Sequence, residues 1–151
     1  MPETFAELGL SEPILKAIGD LGYEAPTPIQ SETIGLLMAG RDVIGQAQTG
    51  TGKTAAFALP MLEKIDPKRR QTQAIVLTPT RELAAQVEES VQTYGKHLPL
   101  KSMVMFGGVN INPQTKQLRG RVDILVATPG RLLDHVGQKS LDLSGIEILV
   151  L

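Results

Sequence analysis

An α/β fold, a parallel β-sheet flanked by helices, is the class this sequence predicts, and three observations predict it. Short runs rich in Val, Ile and Leu recur along most of the chain, continuous rather than alternating, as strands buried on both faces read. Stretches of helical period lie between them, and a repeated strand–helix order implies parallel pairing with right-handed crossovers. A Gly-rich loop sits where one strand-like run passes into a helix-like one.

The first forty residues stand apart. They read as helices near 11–21 and 29–39, joined by the turn-rich Gly22-Tyr23-Glu24-Ala25-Pro26-Thr27-Pro28. From there on strands are expected at 42–45, 74–78, 101–106, 123–127 and 146–151. Helices are expected after the Gly-rich loop (53–59) and at 81–96, 113–118 and 129–136. The helix from Arg81 shows Leu83, Val87, Val91 and Tyr94 along one face. Repeats, low-complexity tracts and linkers are absent from the sequence. The organisation is a helical region over 1–40 and an α/β core over 41–151.

The Gly-rich loop, Ala47-Gln48-Thr49-Gly50-Thr51-Gly52-Lys53-Thr54, has the pattern and context of a phosphate-binding loop, with Ala47 where the general pattern has Gly. Gly50 and Gly52 let the backbone turn so that several N–H groups converge on one anion. The following helix N-terminus adds partial positive charge. Lys53 would reach the β- and γ-phosphates and Thr54 would offer its hydroxyl to Mg²⁺. The ligand class is a nucleoside triphosphate, and the plainer alternative is an ordinary strand-to-helix connection.

Two further strand-like runs end in related loops, Thr78-Pro79-Thr80-Arg81 and Thr128-Pro129-Gly130-Arg131. Ligands of open α/β sheets bind beyond the carboxyl ends of the strands, so all three loops are expected on one edge. Each of the two carries a Thr placed to cap a helix and an Arg at its start, a combination that receives phosphates. Beside a nucleotide site this suggests a second, polyanionic ligand. Read singly, each is more simply an ordinary helix start, with Thr80 as a cap in one and Pro129 at the first helical position in the other.

Composition bounds these readings. At 151 residues, 42% of them hydrophobic and 21% charged, the chain is one domain's worth and can bury a core. No apolar run approaches the ~20 residues of a membrane span, and the first residues, Met1-Pro2-Glu3-Thr4-Phe5, show no signal peptide. Cysteine is absent, which removes disulfides and cysteine metal sites and fits a reducing compartment; a cytoplasmic location is the expectation. The net charge of −1 neither supports nor excludes a nucleic-acid partner, since the basic clusters 68–70 and 116–121 are read as solvated surface. His97 and His135 are expected at the surface or at helix ends rather than as metal ligands, and the Met residues as core filler.

Together, in order and over nearly the whole chain, these residues resemble the first RecA-like domain of a DEAD-box ATP-dependent RNA helicase. Residues 22–30, with Phe5 upstream, are similar to the family's Q motif, and 47–54 to its motif I, where Ala in the first position is usual. Pro79-Thr80-Arg81-Glu82-Leu83 resembles motif Ia, Gly107-Gly108 the GG motif, and Thr128-Pro129-Gly130-Arg131 motif Ib. Residues 106–114 look most like the bacterial RhlE-like subgroup.

The resemblance implies a RecA-like P-loop fold and assigns roles. Gln30 would hydrogen-bond the adenine edge and select ATP, a task suited to an amide with both donor and acceptor. Tyr23 would lie against the adenine ring, or else pack as a core aromatic at the turn. Thr27 would hold the Q-motif loop and Phe5 would pack. Gln48, Thr49, Gly50, Thr51, Gly52, Lys53 and Thr54 would hold the phosphates and Mg²⁺. Pro79, Thr80, Arg81, Gly107, Gly108, Thr128, Pro129, Gly130 and Arg131 would line a groove for the RNA sugar-phosphate backbone, which positions a strand without reading its sequence.

The resemblance also implies what lies outside these residues. In the family the Asp-Glu-Ala-Asp motif, whose carboxylates hold Mg²⁺ and activate water, follows where this sequence ends at Leu151. So do the Ser-Ala-Thr motif and a second RecA-like domain. The 151 residues alone are therefore expected to bind nucleotide without turning it over. Two other functions stay open: an ATPase of the same superfamily acting on DNA, and a non-catalytic module in which nucleotide switches a partner surface.

Overall fold

The computed structural model describes residues 3–48, 50 and 52–151. The chain groups into two compact units, one of residues up to 64 together with 90–98, the other of 65–89 together with 99–151.

The first unit is helical. A short 3-10 turn, Ala6–Leu8, ends at Gly9, whose φ of +83° suits glycine. Helix α1 (Glu12–Asp20) follows Ser11, carries Pro13 in its first turn and buries Ile14, Ala17 and Ile18 at helical spacing. The backbone N–H of Ser11 donates to the Glu63 carboxylate at 2.6 Å, which satisfies a donor at the start of that helix. Helix α2 (Pro28–Met38) follows Thr27 and buries Gln30, Thr33 and Ile34. Helix α3 (Lys53–Lys64) runs past its expected end and buries Ala55, Ala58, Leu59, Met61 and Leu62.

The strand expected at 42–45 does not form. Those residues are irregular, and Ile44 is fully exposed. Two β-branched residues between Asp42 and Gly45 make a short run, and a strand persists only where a neighbour completes its ladder. Among the described residues no strand pairs with it.

The second unit holds the sheet: β1 (Ala74–Leu77), β2 (Ser102–Met105), β3 (Ile124–Ala127) and β4 (Ile148–Val150), in the order β2-β3-β1-β4 with every pairing parallel. The strands are one or more residues shorter than expected at each run, but type and order match. Central β3 is buried throughout, as its Ile-Leu-Val-Ala sequence requires. Helix α4 (Arg81–Tyr94) follows β1, α5 (Asn112–Leu118) follows β2 and α6 (Pro129–Gly137) follows β3. Leu118 of α5 with Leu132 and Val136 of α6 packs on a core of Ile75, Met103, Met105, Leu125 and Ala127. On α4 the buried face is Ala84, Val87, Val91 and Tyr94, while Leu83, expected on it, is half exposed.

Buried polar residues set the strand starts. The Gln73 side chain accepts from Asp66 N–H and donates to Asp66 carbonyl, both at 2.9 Å. Its backbone carbonyl receives Glu147 N–H at 2.9 Å, which aligns β4 with β1. Fully buried Asp123 accepts from Lys101 N–H at 2.9 Å and pairs with Arg121, fixing β2 against β3.

Candidate functional site

In the first unit, Gln30 joins the start of α2 to the start of α3. Its Oε1 accepts from Thr27 N–H at 2.9 Å, as the third residue of a helix does in a capping box. Its Nε2 donates to the Gly52 carbonyl at 3.2 Å. The amide keeps a second N–H and a second lone pair beyond these bonds. Thr27 Oγ1, beside it, is buried and bonds no described residue.

Gly50 and Gly52 both adopt left-handed backbone, φ +84° and +85°. A Cβ on Gly50 would meet open space, whereas one on Gly52 would collide with the Gln30 amide. Helix α3 begins immediately after, and its first N–H groups have no carbonyl one turn back to bond. Lys53 is exposed and outside every ion pair among the described residues. Open glycine backbone, free helix N–H groups and an unpaired ammonium are the donor set that a polyphosphate needs. Thr49 and Thr51 lie outside the described residues.

Tyr23 stacks on buried Phe5 with ring centroids 6.1 Å apart, and its hydroxyl lies 3.0 Å from that of Tyr94. Burial, with the Tyr23 contact second, raises the Tyr94 pKa. Tyr23 itself is 39% exposed. Phe5 packs as expected.

In the second unit, three loops leave neighbouring strands at one level. Leu77 of β1 and Met105 of β2 both pair with Ala127 of β3. The ladder continues one step into the loops, with Thr78 N–H bonding Ala127 O at 3.0 Å and Thr128 N–H bonding Met105 O at 3.1 Å. Residues 78–81, 106–109 and 128–131 therefore open on one edge, as expected for the two Thr-Pro loops. Thr80 caps α4 through Leu83 N–H at 3.2 Å. Thr128 occupies the equivalent position before α6 but makes no side-chain cap bond.

The two arginines differ. Arg81 lies over the Phe106 ring, 4.8 Å from its centroid. Arg131 turns inward and is only 10% exposed. Its Nη2 donates to the Val109 carbonyl at 2.9 Å and its Nη1 to Gln114 Oε1 at 3.1 Å. Its Nε lies 3.4 Å from the Asp134 carboxylate, close enough for an ion pair but without the alignment of a hydrogen bond. Gly108 takes φ +80°, which suits glycine, and a Cβ there would stand in ordinary contact with Arg81 Nη1 at 3.5 Å.

His135 is fully buried, which corrects the expectation of a surface position; it does lie in the last turn of α6. Its Nδ1 is 2.7 Å from Ser140 Oγ and its Nε2 is 3.2 Å from Gln114 Oε1. Burial, then the Arg131 charge, lowers its pKa. Neither Gln114 nor His135 stood out as functional in the sequence. The signal was the spacing Leu132–His135–Val136, which places the imidazole on the apolar face of α6. Among the described residues no group of His, Asp and Glu is arranged to hold a metal, and no helix is long and apolar enough to cross a membrane.

The DEAD/DEAH box helicase family model matches residues 27–151. Over 148 residues the chain is 50% identical to the DEAD-box ATP-dependent RNA helicase CshA of Bacillus cereus, covering 98% of this chain and 28% of that protein. It is 53% identical to the ATP-dependent RNA helicase DeaD of Escherichia coli over 149 residues, 98% of this chain and 24% of that one. Among solved structures, a DEAD box protein from the hyperthermophile Methanococcus jannaschii superposes with a TM-score of 0.93 at 41% identity, over 98% of this chain and 40% of that one. The chain thus spans about a quarter of the length of these curated relatives.

Proposed function

The chain belongs to the DEAD/DEAH box helicase family, and from that membership we propose that the whole protein is an ATP-dependent RNA helicase. It would couple ATP binding and hydrolysis to local separation of RNA strands. The observation that carries this reading is the hydrogen bond from Gln30 to the Gly52 carbonyl. It ties the residue that would read the base to the loop that would hold the phosphates, within one compact unit.

In this reading the spare donor and acceptor of Gln30 meet the adenine edge, and the partly exposed Tyr23 lies against the ring. Gly50, Gly52 and the N–H groups that open α3 cradle the phosphates, and Lys53 neutralises the β- and γ-oxygens. Thr54 would offer its hydroxyl to Mg²⁺. Bound ATP supplies the phosphoryl group whose transfer to water drives the cycle. The loops at 78–81, 107–108 and 128–131 receive the RNA backbone, with Arg81 as the charged contact and glycine backbone as the close approach. A second RecA-like domain of the same protein would complete both sites. Residues 106–114 support a finer placement in the RhlE-like subgroup.

ATPase measurements on the full-length protein test this. RNA, and not DNA of the same sequence, is expected to stimulate turnover, with ATP preferred to GTP. Equal stimulation by DNA would favour a DNA-acting member of the superfamily. Nucleotide binding with no turnover under any nucleic acid would favour a switch module.

A further inference from the structure

The bonds around Gln114 leave its side-chain amide one orientation. Nε2 donates to the Phe106 carbonyl at 3.2 Å, and Oε1 accepts from the Arg131 guanidinium at 3.1 Å. Turned over, the amide would set carbonyl against carbonyl and donor against donor. The same Oε1 lies 3.2 Å from His135 Nε2, so that ring nitrogen must carry a hydrogen. Nδ1 is then the lone pair, and it faces the Ser140 hydroxyl at 2.7 Å and the Gln138 amide nitrogen at 3.4 Å; the same hydroxyl also lies 3.2 Å from the His135 carbonyl. Burial and the neighbouring Arg131 keep the ring neutral.

These bonds run in one direction, from His135 through Gln114 to the carbonyl of Phe106. Arg131 holds the carbonyl of Val109 from the same side. Phe106 and Val109 are the two shoulders of Gly107-Gly108, a pair with no side chains of its own to fix it. Gly108 at φ +80° takes a shape its own sequence leaves free. The loop's conformation is therefore held from outside it, by α5 and α6 at its backbone and by Arg81 of α4 at the Phe106 ring.

We propose that His135 and Gln114 are positioning residues for RNA binding: the Nε2–H imidazole orients the Gln114 amide, which with Arg131 holds the Phe106–Val109 backbone in the shape that receives the RNA strand. This rests on the RNA groove proposed above and adds residues that never touch the ligand. Gln114, His135 and Ser140 act through the loop and do not themselves meet the nucleic acid.

The test uses the full-length protein with His135→Leu, His135→Gln, Gln114→Leu and Arg81→Ala. Both Leu variants are expected to raise the RNA concentration for half-maximal ATPase stimulation about tenfold, with the RNA-saturated rate and the KM for ATP within about twofold of wild type. His135→Gln, which keeps an N–H near the place of Nε2, is expected to stay close to wild type. An unmoved RNA requirement in His135→Leu, or equal losses in the Leu and Gln variants, overturns the proposal. If Arg81→Ala also leaves the RNA requirement unmoved, the groove reading itself has failed; if Arg81→Ala weakens RNA and His135→Leu does not, only the positioning role has. Independently, ¹⁵N NMR of His135 near neutral pH should show a protonated Nε2 and a bare Nδ1, and the opposite tautomer overturns the proposal.

Discussion

The side-chain amide of Gln30 donates to the backbone carbonyl of Gly52 across 3.2 Å. That carbonyl also receives Ala56 N–H at 3.1 Å, the bond that closes the first turn of α3. The third residue of one helix is thereby tied to the opening turn of another, and the space between them is too small for a Cβ on Gly52.

Gly52→Ala should therefore be worse than removing the amide. A left-handed alanine costs about 1–2 kcal/mol, and its methyl must also push Gln30 off both its bonds. We expect a lower unfolding midpoint and loss of binding to a fluorescent ATP analogue. Gln30→Ala removes one capping bond and the tie, at about 1 kcal/mol, and should narrow the preference for ATP over GTP while retaining phosphate binding. Wild-type affinity in Gly52→Ala would show that the tie does not shape the nucleotide site.

Lys53 offers the converse case. Exposed and outside any ion pair among the described residues, it gives the fold little. Lys53→Ala should leave stability within about 0.5 kcal/mol and abolish ATP use by the full-length protein. Residual turnover near the wild-type rate would remove Lys53 from the phosphate site.

Arg131 behaves differently from Arg81 because its guanidinium is spent inside the protein. It spans the Val109 carbonyl and Gln114 Oε1 with separate nitrogens, a reach that one ammonium cannot reproduce. Arg131→Ala should raise the RNA concentration needed to stimulate ATPase and also destabilise by about 1 kcal/mol, since the buried Gln114 amide loses a donor while the exposed Val109 carbonyl can turn to water. Arg131→Lys should recover only part of either loss. Arg81→Ala, by contrast, should weaken RNA with little effect on thermal unfolding. A loss of RNA affinity with unchanged stability in Arg131→Ala would make Arg131 a direct contact instead.

Four of the strands, the helices and the glycine loop were legible because each rests on local pattern: continuous Val/Ile/Leu runs, Thr or Ser before a helix, and glycines at left-handed turns. Residues 42–45 misled for the same reason, since Val43 and Ile44 favour a strand but only a neighbouring ladder makes one. His135 misled because a polar residue near a helix end reads as surface until Leu132 and Val136 are seen to share its face. Gln114 was invisible as a functional residue. Its importance lies in what its two ends touch, Phe106 on one side and Arg131 with His135 on the other, and those contacts join segments far apart in sequence.

Protonation of His135 gives a test that needs no ligand. Burial, then Arg131, lowers its pKa in the folded protein, and Asp134 opposes them in part. Those charges lie on its own helix; the groups facing it from α5 and from the following loop, Gln114 and Ser140, are uncharged. In the unfolded chain the imidazole takes its proton near pH ~6.5. Between that value and the lower folded one, the unfolded state binds more protons, so unfolding becomes easier as pH falls. The stabilisation from the neutral ring is complete above about pH 6.5 and is lost through the window below it. Urea unfolding midpoints should therefore drop as the buffer is taken below that pH, and His135→Gln, which cannot titrate, should show a shallower fall. Parallel curves for the two proteins would mean that His135 titrates in the folded state as it does in the unfolded chain.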